Sequence, residues 1–242
     1  MELTKEQALR FLENNRCLHA DMLDCIRLNK ARILYAASDA ALIEDRNCGI
    51  FSLSANTPDG AQKAMRALDV TELKQKSGWL VAHGECARTA VYEAMPVSHE
   101  TKCIQIVYPK QDVFLENRLI FRAPNAEQLQ MIQRHYDRES PENIRKIADK
   151  GELFCAFSKG NGREDFVGFI GFHPEGSMGL LYIFPKFRRK GYAEETERFL
   201  IAKCLETGRT PYGHVVFGND ASMHLQEKLG FEQADAFVYW LR

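Results

Sequence analysis

Six consecutive residues combine positive charge with backbone freedom in a way that suits a phosphate group: Arg188-Arg189-Lys190-Gly191-Tyr192-Ala193. They separate an apolar, strand-like run at residues 179–184 from a helix-like run that begins near Tyr192. The first N–H groups of a helix lack intrahelical partners and carry partial positive charge, and a glycine lets the backbone approach a bulky anion. The spacing therefore predicts a pyrophosphate-binding loop, although the hexapeptide alone fits a solvated basic turn equally well.

A second segment about thirty residues later favours the first interpretation. After a strand-like run at residues 214–217 the chain continues with Asn219, Ser222 and Leu225, and then with Lys228-Leu229-Gly230-Phe231. Together the two segments resemble the GNAT superfamily of N-acetyltransferases. The first matches its pattern of Arg or Gln, two free positions, Gly, one free position and Gly or Ala, and the second matches its Asn...Ser...Leu...Lys-Leu-Gly-Phe segment.

This resemblance implies an α/β fold with a mixed central sheet flanked by helices, and acetyl-coenzyme A as the acyl donor. It also implies that the pantetheine arm runs along the strand at 180–184, between it and the strand at 215–217, where a backbone N–H near Ile183 polarises the thioester carbonyl. As side chains, Leu181 and Ile183 fit ordinary core positions, and Asn219 also fits a turn that ends a strand. The implied cofactor-binding residues are Leu181, Ile183, Arg188, Arg189, Lys190, Gly191, Tyr192, Ala193, Glu194 and Asn219.

The residues that would move protons are less clearly marked. Many relatives carry a tyrosine as general acid after the Leu of the second segment, but this chain has Gln226 there, and an amide cannot donate a proton as a phenol can. For the general base, the resemblance points to the stretch that contains Glu175, and His173 and His214 titrate in a useful range. Each of the three also fits a surface or turn residue, so no catalytic residue is assigned.

The second half of the chain has the GNAT order of elements from end to end. A strand at 119–122 precedes a helix at 124–136, and Ser140-Pro141 predicts the cap and first position of another helix that ends at Gly151. Strands at 152–157 and 166–172 follow, and Asn161-Gly162 predicts a hairpin turn between them. The strand, basic loop and helix described above come next, followed by a strand at 214–217, a helix at 221–229 and a strand at 237–241.

The first half repeats this succession more weakly. Helix-like runs at 5–15 and 19–28 lead into apolar runs at 32–37, 40–44 and 49–54, and the stretch that corresponds to the basic loop reads Asn56-Thr57-Pro58-Asp59-Gly60-Ala61. It has no cation, and Asp59 would repel phosphate. We therefore predict a degenerate GNAT-like domain at 1–112 and a GNAT domain at 113–242, a layout similar to that of glycine N-acyltransferase-like proteins. An unrelated α/β domain in the first half stays an alternative.

Composition excludes several classes of function. The 242 residues contain 32 basic and 33 acidic side chains, a net charge of −1, so no global field favours nucleic acid or an anionic membrane. Seven dispersed cysteines without a Cys-x-x-Cys pair argue against disulfides and metal sites and for a reducing cytoplasm. The first residues do not look like a secretory signal, and no apolar run approaches the length of a membrane span.

Three functions are compatible with these patterns. The favoured one is an N-acetyltransferase that moves an acetyl or longer acyl group from coenzyme A to a primary amine of a small molecule or protein. The second is a non-catalytic acyl-coenzyme A sensor or interaction module, which the loss of the tyrosine at Gln226 would fit. The third is a protein that binds another nucleotide. No motif identifies the acceptor, the acyl length or the oligomeric state.

Overall fold

The computed structural model describes residues 2–159 and 164–242, with side chains from Thr4 onward. The helices are α1 (Glu2–Leu12), α2 (Ala20–Arg27), α3 (Pro58–Arg66), α4 (Val70–Gln75), α5 (Gly84–Ala94), α6 (Ala126–His135), α7 (Pro141–Asp149), α8 (Tyr192–Glu206) and α9 (Asp220–Leu229). The strands are β1 (Ala31–Ala36), β2 (Ala40–Asp45), β3 (Ile50–Ala55), β4 (Leu80–His83), β5 (Glu100–Val107), β6 (Leu119–Arg122), β7 (Leu153–Lys159), β8 (Glu164–Phe172), β9 (Met178–Ile183), β10 (Tyr212–Val216) and β11 (Glu232–Leu241).

The described strands form two sheets. The larger sheet has the order β1-β2-β3-β4-β11-β5-β10, and the smaller one has the order β6-β7-β8-β9. The pair β3–β4 is parallel, while the other pairs are antiparallel, so the larger sheet is mixed as expected. Parallel neighbours need a crossover connection, and here the chain from β3 to β4 contains α3 and α4.

The C-terminal strand β11 lies inside the larger sheet. Trp240 stands opposite Val81 of β4 on one side and opposite Thr101 of β5 on the other. Strand β10 pairs with the far side of β5, where His214 lies opposite Gln105. Two strands from the end of the chain therefore complete a sheet that the first 107 residues begin.

Alternation along the strands sends side chains to both faces of this sheet. Ala40 and Leu42 of β2 pack in one apolar cluster with residues of α3 and α5, whereas Ala41 and Ile43 pack in another with residues of α1 and α2. Because successive side chains of a strand point to opposite faces, one apolar run can serve two cores. This explains why the first four residues of β2, at 40–43, are all apolar.

The smaller sheet is covered in the same way. Leu153 and Cys155 of β7 join a cluster with α6 and α7, whereas Ala156 joins a second cluster that includes Ile183 and Phe187. The capping residues of these helices behave as the sequence predicts. Ser140 accepts a hydrogen bond from the backbone N–H of Asn143, and Pro141 occupies the first turn of α7.

The chain divides into two compact units that are not continuous in sequence. Unit 1 contains residues 1–107, 212–224 and 231–242, and unit 2 contains residues 108–211 and 225–230. Spatial grouping follows strand pairing, since β10 and β11 belong to the larger sheet. These spatial units differ from the predicted sequence domains 1–112 and 113–242, and that division stays a prediction.

Most predicted elements are present, with shifted ends. The helix α4 was not expected, because its six residues contain a single buried side chain, Leu73, and so show no helical periodicity. The predicted Asn161-Gly162 turn lies outside the described residues. Within the described ranges, no helix is long and apolar enough to cross a membrane, and no group of three or more His, Cys, Asp or Glu residues is arranged to hold a metal ion.

Candidate functional site

The basic loop connects β9 to α8 with two residues in the left-handed backbone region. After β9 the chain forms a short 3-10 helix at Pro185–Phe187, and then Arg189 and Gly191 adopt φ angles of 62° and 78°. Gly191 is the N-cap of α8 and has no side chain to cap the helix. The free N–H groups of the first turn therefore open onto the loop, as the sequence predicts for an anion site.

A buried carboxylate fixes this loop to β6. Glu195, 2% exposed in the first turn of α8, accepts hydrogen bonds from the backbone N–H groups of Arg118 and Leu119 at 2.6 and 2.9 Å. The Arg118 guanidinium pairs with Glu195 at 2.9 Å and donates to the carbonyl of Lys190 at 3.3 Å. A Cβ on Gly191 would lie 3.0 Å from the same guanidinium, so Arg118 adds a cation that the sequence patterns did not indicate.

A pocket at the loop is lined by residues of α8, the end of β9 and the last turns of α9. The lining residues are Ile183, Phe187, Arg188, Arg189, Gly191, Tyr192, Ala193, Glu194, Leu225 and Lys228. Seven of these belong to the predicted cofactor-binding set. The structure thus brings those seven together around one concavity within unit 2.

Lys228 is a further cation of this pocket. Its ammonium lies 2.5 Å from the Glu194 carboxylate, which Arg198 also contacts at 2.5 Å. Hydrogen bonding from Lys228 and the charge of Arg198 hold the pKa of Glu194 below its ordinary value despite partial burial. A paired Glu194 repels an anion less than a free one would. Lys228 belongs to the Lys-Leu-Gly-Phe motif, so the signal was present in the sequence but was not assigned to the pocket.

The strand β9 offers backbone groups on one edge. Among the described strands β9 pairs only with β8, and the Phe184 N–H donates to the Val167 carbonyl at 3.0 Å. Because strand residues alternate in direction, the N–H and C=O of Ile183 point away from β8. The Arg188 Nε confirms this direction, since it donates to the Ile183 carbonyl at 2.9 Å.

A β-bulge interrupts β9 near its start. Phe169 of β8 faces Tyr182 and Gly171 faces Gly179, so two residues of β9, at 180 and 181, stand opposite one residue of β8. Leu180 has a φ of 52°, which is unusual for a branched side chain. Bulges bend a strand and redirect its groups, and they are common beside functional sites.

In the first half, the stretch that corresponds to the basic loop, residues 56–61, contacts a carboxylate of the protein itself, that of Asp39. Thr57 caps α3 by accepting from the Gly60 N–H at 3.0 Å, and its hydroxyl donates to Asp39 at 2.6 Å. A Cβ on Gly60 would lie 2.5 Å from the Asp39 carboxylate, so that group lies against the first turn of α3. Asp59 is exposed and pairs with Lys63. The start of α3 thus holds a carboxylate where the start of α8 opens onto a pocket.

His173 and Glu175, two of the three predicted base candidates, lie in the turn between β8 and β9. The backbone N–H of His173 donates to the Ser177 carbonyl at 2.9 Å, and the Ser177 hydroxyl donates to the Glu175 carboxylate. The His173 Nδ1 lies 3.1 Å from an oxygen of Glu139, which precedes α7. Sequence reasoning missed Glu139, because no local pattern links residues 34 positions apart.

Charge, hydrogen bonding and burial shift the pKa values of His173, Glu175 and Glu139. Burial would lower the pKa of His173, but the hydrogen bond to Glu139 and the charges of Glu175 and Glu139 raise it above its ordinary value. Burial raises the pKa of Glu175, although His173 and the Ser177 hydroxyl partly offset this effect. Burial also acts on Glu139, but hydrogen bonds from His173 and Asn143 outweigh it and lower its pKa.

The third base candidate, His214, belongs to unit 1, and both of its ring nitrogens are engaged. Trp240 Nε1 donates to Nδ1 at 3.1 Å, so the proton resides on Nε2, which donates to the side-chain oxygen Oε1 of Gln105 at 2.9 Å. Asn219 also belongs to unit 1, where its side chain accepts from the Ser222 N–H at 3.3 Å at the start of α9. These contacts favour structural roles for both residues.

Gln226 occupies a buried polar contact. It is 5% exposed and donates from Nε2 to Glu197 of α8 at 2.7 Å. Glu197 is itself 6% exposed, and burial raises its pKa to about 7, with the hydrogen bond from Gln226 opposing the shift. In the described chain, Oε2 of Glu197 and Oε1 of Gln226 have no hydrogen-bond partner.

Comparison with known proteins supports the fold and part of the sequence resemblance. The family described as "FR47-like protein" matches residues 160–241, about a third of the chain. No curated protein gives a significant match.

Solved structures resemble the chain over almost its whole length. A Drosophila protein has a TM-score of 0.62 at 14% identity, covering 99% of this chain and 95% of its own. A putative GNAT-family acetyltransferase from Novosphingobium aromaticivorans has a TM-score of 0.52 at 15% identity, with coverages of 95% and 96%. A GCN5-related N-acetyltransferase-like protein from Streptococcus suis has a TM-score of 0.51 at 16% identity, covering 98% of this chain and 100% of its own. The chain therefore has the GNAT fold predicted from its sequence.

Proposed function

We propose that the protein is an N-acetyltransferase that transfers the acetyl group of acetyl-coenzyme A to a primary amine. The observation that carries this proposal is the open N-terminus of α8. Its N-cap Gly191 has no side chain, and the adjoining pocket contains Arg188, Arg189 and Lys228. Free N–H groups together with these cations suit a pyrophosphate.

The outward edge of β9 supports the placement of the donor's arm. The backbone groups of Ile183 face away from β8, and amide groups of a pantetheine arm can hydrogen-bond to such an edge as an added strand does. The Ile183 N–H would then face the thioester end of the arm and stabilise developing negative charge on the carbonyl oxygen. The contact from Arg188 to the Ile183 carbonyl would adjust when an arm occupies that edge.

The test is a binding and turnover measurement on the full chain. Acetyl-coenzyme A should bind, and a panel of primary amines should reveal acceptor-dependent release of free thiol. Gly191→Glu places a carboxylate in the pocket and forces a side chain onto a residue with a φ of 78°, so it should abolish acetyl-coenzyme A binding. The matched variant Gly208→Glu alters another exposed glycine with a φ of 68° at the far end of α8, and it should bind normally.

One observation favours a second candidate, an acyl-coenzyme A sensor without catalytic activity. Gln226, at the position where many GNAT enzymes carry a tyrosine, is buried and donates to Glu197. A sensor would bind acetyl-coenzyme A and release no thiol with any amine. A different nucleotide-binding function would instead show ATP or NAD binding at least as tight as that of coenzyme A in a thermal-shift comparison.

We also propose that the two halves are tandem copies, of which only the second binds the donor. The Asp39 carboxylate beside the first turn of α3 supports this, because it would repel a phosphate at the corresponding place in the first half. One donor should therefore bind per chain, which a calorimetric titration measures directly. A cytoplasmic location is a further proposal, which rests on seven dispersed cysteines that form no disulfide in the described part of the chain.

A further inference from the structure

We propose that Arg188 determines donor specificity, because it disfavours a pantetheine arm that does not carry a pyrophosphate. This inference rests on the proposed function, and in particular on the placement of the donor's arm along β9. The guanidinium of Arg188 lies at the backbone edge that the arm would use. A donor must therefore displace it, and the chemistry of the donor decides how much that displacement costs.

The turn after β9 brings Arg188 back to the strand. Pro185 begins the short 3-10 helix, and Arg188 is its C-cap, with an extended backbone at φ −66° and ψ 163°. The backbone N–H of Arg188 donates to the Pro185 carbonyl at 3.2 Å. Its side chain reaches the carbonyl of Ile183, five positions earlier, with a hydrogen bond of 2.9 Å from Nε. This carbonyl belongs to the outward edge of β9, so the side chain occupies that edge.

An aromatic ring also holds the guanidinium. Cζ of Arg188 lies 5.6 Å from the centre of the Tyr182 ring, within the range of a cation–π contact. Tyr182 is stacked on Phe169 with ring centres 5.4 Å apart and an angle of 16°, and Phe184 meets it edge to face at 5.4 Å. Rings packed in this way limit the movement of Tyr182. The guanidinium is therefore placed by two groups, a carbonyl and a ring.

The charge of Arg188 is available to a phosphate. Two other cations beside the pocket are paired with carboxylates, Arg118 with Glu195 and Lys228 with Glu194. The described contacts of the Arg188 side chain are instead with a neutral carbonyl and a neutral ring. A phosphate oxygen is a stronger partner than either, because both donor and acceptor are then charged. Arg188 also lines the pocket at the start of α8, where we place the pyrophosphate.

The contact at Ile183 makes binding of the arm depend on binding of the phosphates. An amide N–H of the arm needs the carbonyl that Nε of Arg188 occupies, so that hydrogen bond must break. Breaking a hydrogen bond to a charged group weakens affinity by about tenfold unless the group finds another partner. A pyrophosphate supplies this partner, whereas an arm alone leaves the guanidinium to water.

The expected donor class follows from this dependence. A coenzyme A thioester carries the arm and the pyrophosphate in one molecule. A pantetheine thioester has no phosphate, and an arm attached to a carrier protein has a single one. Both would displace Arg188 with less compensation, so the acyl group should arrive on free coenzyme A.

The test compares the binding of pantetheine and of coenzyme A to the full chain and to two matched variants. Arg188→Met keeps an unbranched side chain beside Tyr182 but removes the donor and the charge. Pantetheine should bind this variant about tenfold more tightly than wild type, because the competing hydrogen bond is gone. Coenzyme A should gain nothing, since the variant also loses the phosphate contact. NMR titration measures the first affinity, and calorimetry measures the second.

Arg189→Met is the matched control. Arg189 lines the same pocket, but the hydrogen bond to the Ile183 carbonyl comes from Arg188. This variant should weaken coenzyme A binding and leave pantetheine affinity unchanged. The Nε–H signal of Arg188 is a direct readout, which should shift when pantetheine binds to wild type or to Arg189→Met.

The outcomes separate this inference from the proposed function. If wild type binds coenzyme A but Arg188→Met binds pantetheine no more tightly than wild type does, the role of Arg188 alone is overturned. Absence of coenzyme A binding in wild type would overturn the proposed function and this inference with it. Because both measurements are of binding, a chain that binds coenzyme A without releasing thiol would contradict the proposed catalysis and still test Arg188. Tighter pantetheine binding in Arg188→Met and not in Arg189→Met would support the inference.

Discussion

Glu197 and Gln226 form a contact in which a single proton makes a large difference. The Gln226 amide already donates to Oε1 of Glu197. Two buried oxygens, Oε2 of Glu197 and Oε1 of Gln226, are acceptors that receive no hydrogen bond within the described chain. Protonating Glu197 supplies that donor and removes a buried charge. Both effects act in the direction of the raised pKa, because each favours the neutral acid.

This contact makes stability depend on pH. The pKa of Glu197 rises from an ordinary 4.5 to about 7 in the folded chain, so the folded state binds the proton more tightly than the unfolded one. The resulting stabilisation is complete below about pH 4.5 and is lost as pH rises through about 7; it amounts to about 3 kcal/mol. Glu197→Gln should remove this dependence and be more stable than wild type at pH 8. Urea unfolding at pH 5 and pH 8 measures both changes.

Glu206→Gln is the matched control for this measurement. It removes a carboxylate from the same helix, but Glu206 is exposed and its described ion pair is with the exposed Lys203, so the variant should keep the pH dependence of wild type. An equal loss of stability between pH 5 and pH 8 in wild type and Glu197→Gln would show that Glu197 does not carry the effect.

The first turns of α3 and α8 have different surroundings, although both helices follow a strand and a short loop. In α3, Thr57 caps the helix and Asp39 lies against its first turn, whereas in α8 the N-cap is Gly191 and the first turn lines a pocket. Helix N-termini attract anions, and at the start of α3 this anion is the Asp39 carboxylate of the chain itself. A structural cap and a ligand site are thus alternative uses of the same element.

Thr57→Ala tests the structural use. The change removes the cap of α3 and one donor to Asp39, so it should destabilise the protein by about 1 kcal/mol while the affinity for acetyl-coenzyme A stays unchanged. Chemical unfolding and calorimetric titration measure the two quantities. Thr71→Ala, in the exposed first turn of α4, should change neither. A weaker affinity in Thr57→Ala would place a donor site at α3 as well.

Local chemistry explains which elements the sequence predicted. The cap at Ser140 and the start of α8 near Tyr192 were identified because each depends on residues within one turn. The contacts of Glu139 with His173 and of Glu195 with the start of β6 were not identified, since they join residues 34 and 77 positions apart. Five of the six residues of the basic loop line one pocket, all except Lys190, and their role in binding a cofactor stays a prediction. The side chains that brace the loop could be identified only from the structure.

At the scale of the whole molecule, strand pairing connects the ends of the chain. The repeated succession of elements along the chain predicts a domain boundary near residue 112. That succession does not determine which strands become neighbours in a sheet. β11 enters between β4 and β5, and its residues Val238, Tyr239 and Leu241 are almost fully buried. Without β11, the facing edges of β4 and β5 would have unpaired N–H and C=O groups and exposed apolar side chains.

The fragment 1–112 should therefore fail to fold by itself. It contains β1 to β5 but lacks both strands that pair with β5 and one strand that pairs with β4. We expect aggregation, or an amide NMR spectrum with the narrow dispersion of an unfolded chain. As a control, a protease site inserted beside Phe114, which is 76% exposed, breaks the chain without removing any strand. The cleaved protein should elute as one species, because β10 and β11 of the second piece stay paired with strands of the first. A well-dispersed spectrum from the isolated fragment would show instead that β1 to β5 suffice for a stable sheet, and that 1–112 is an independent domain.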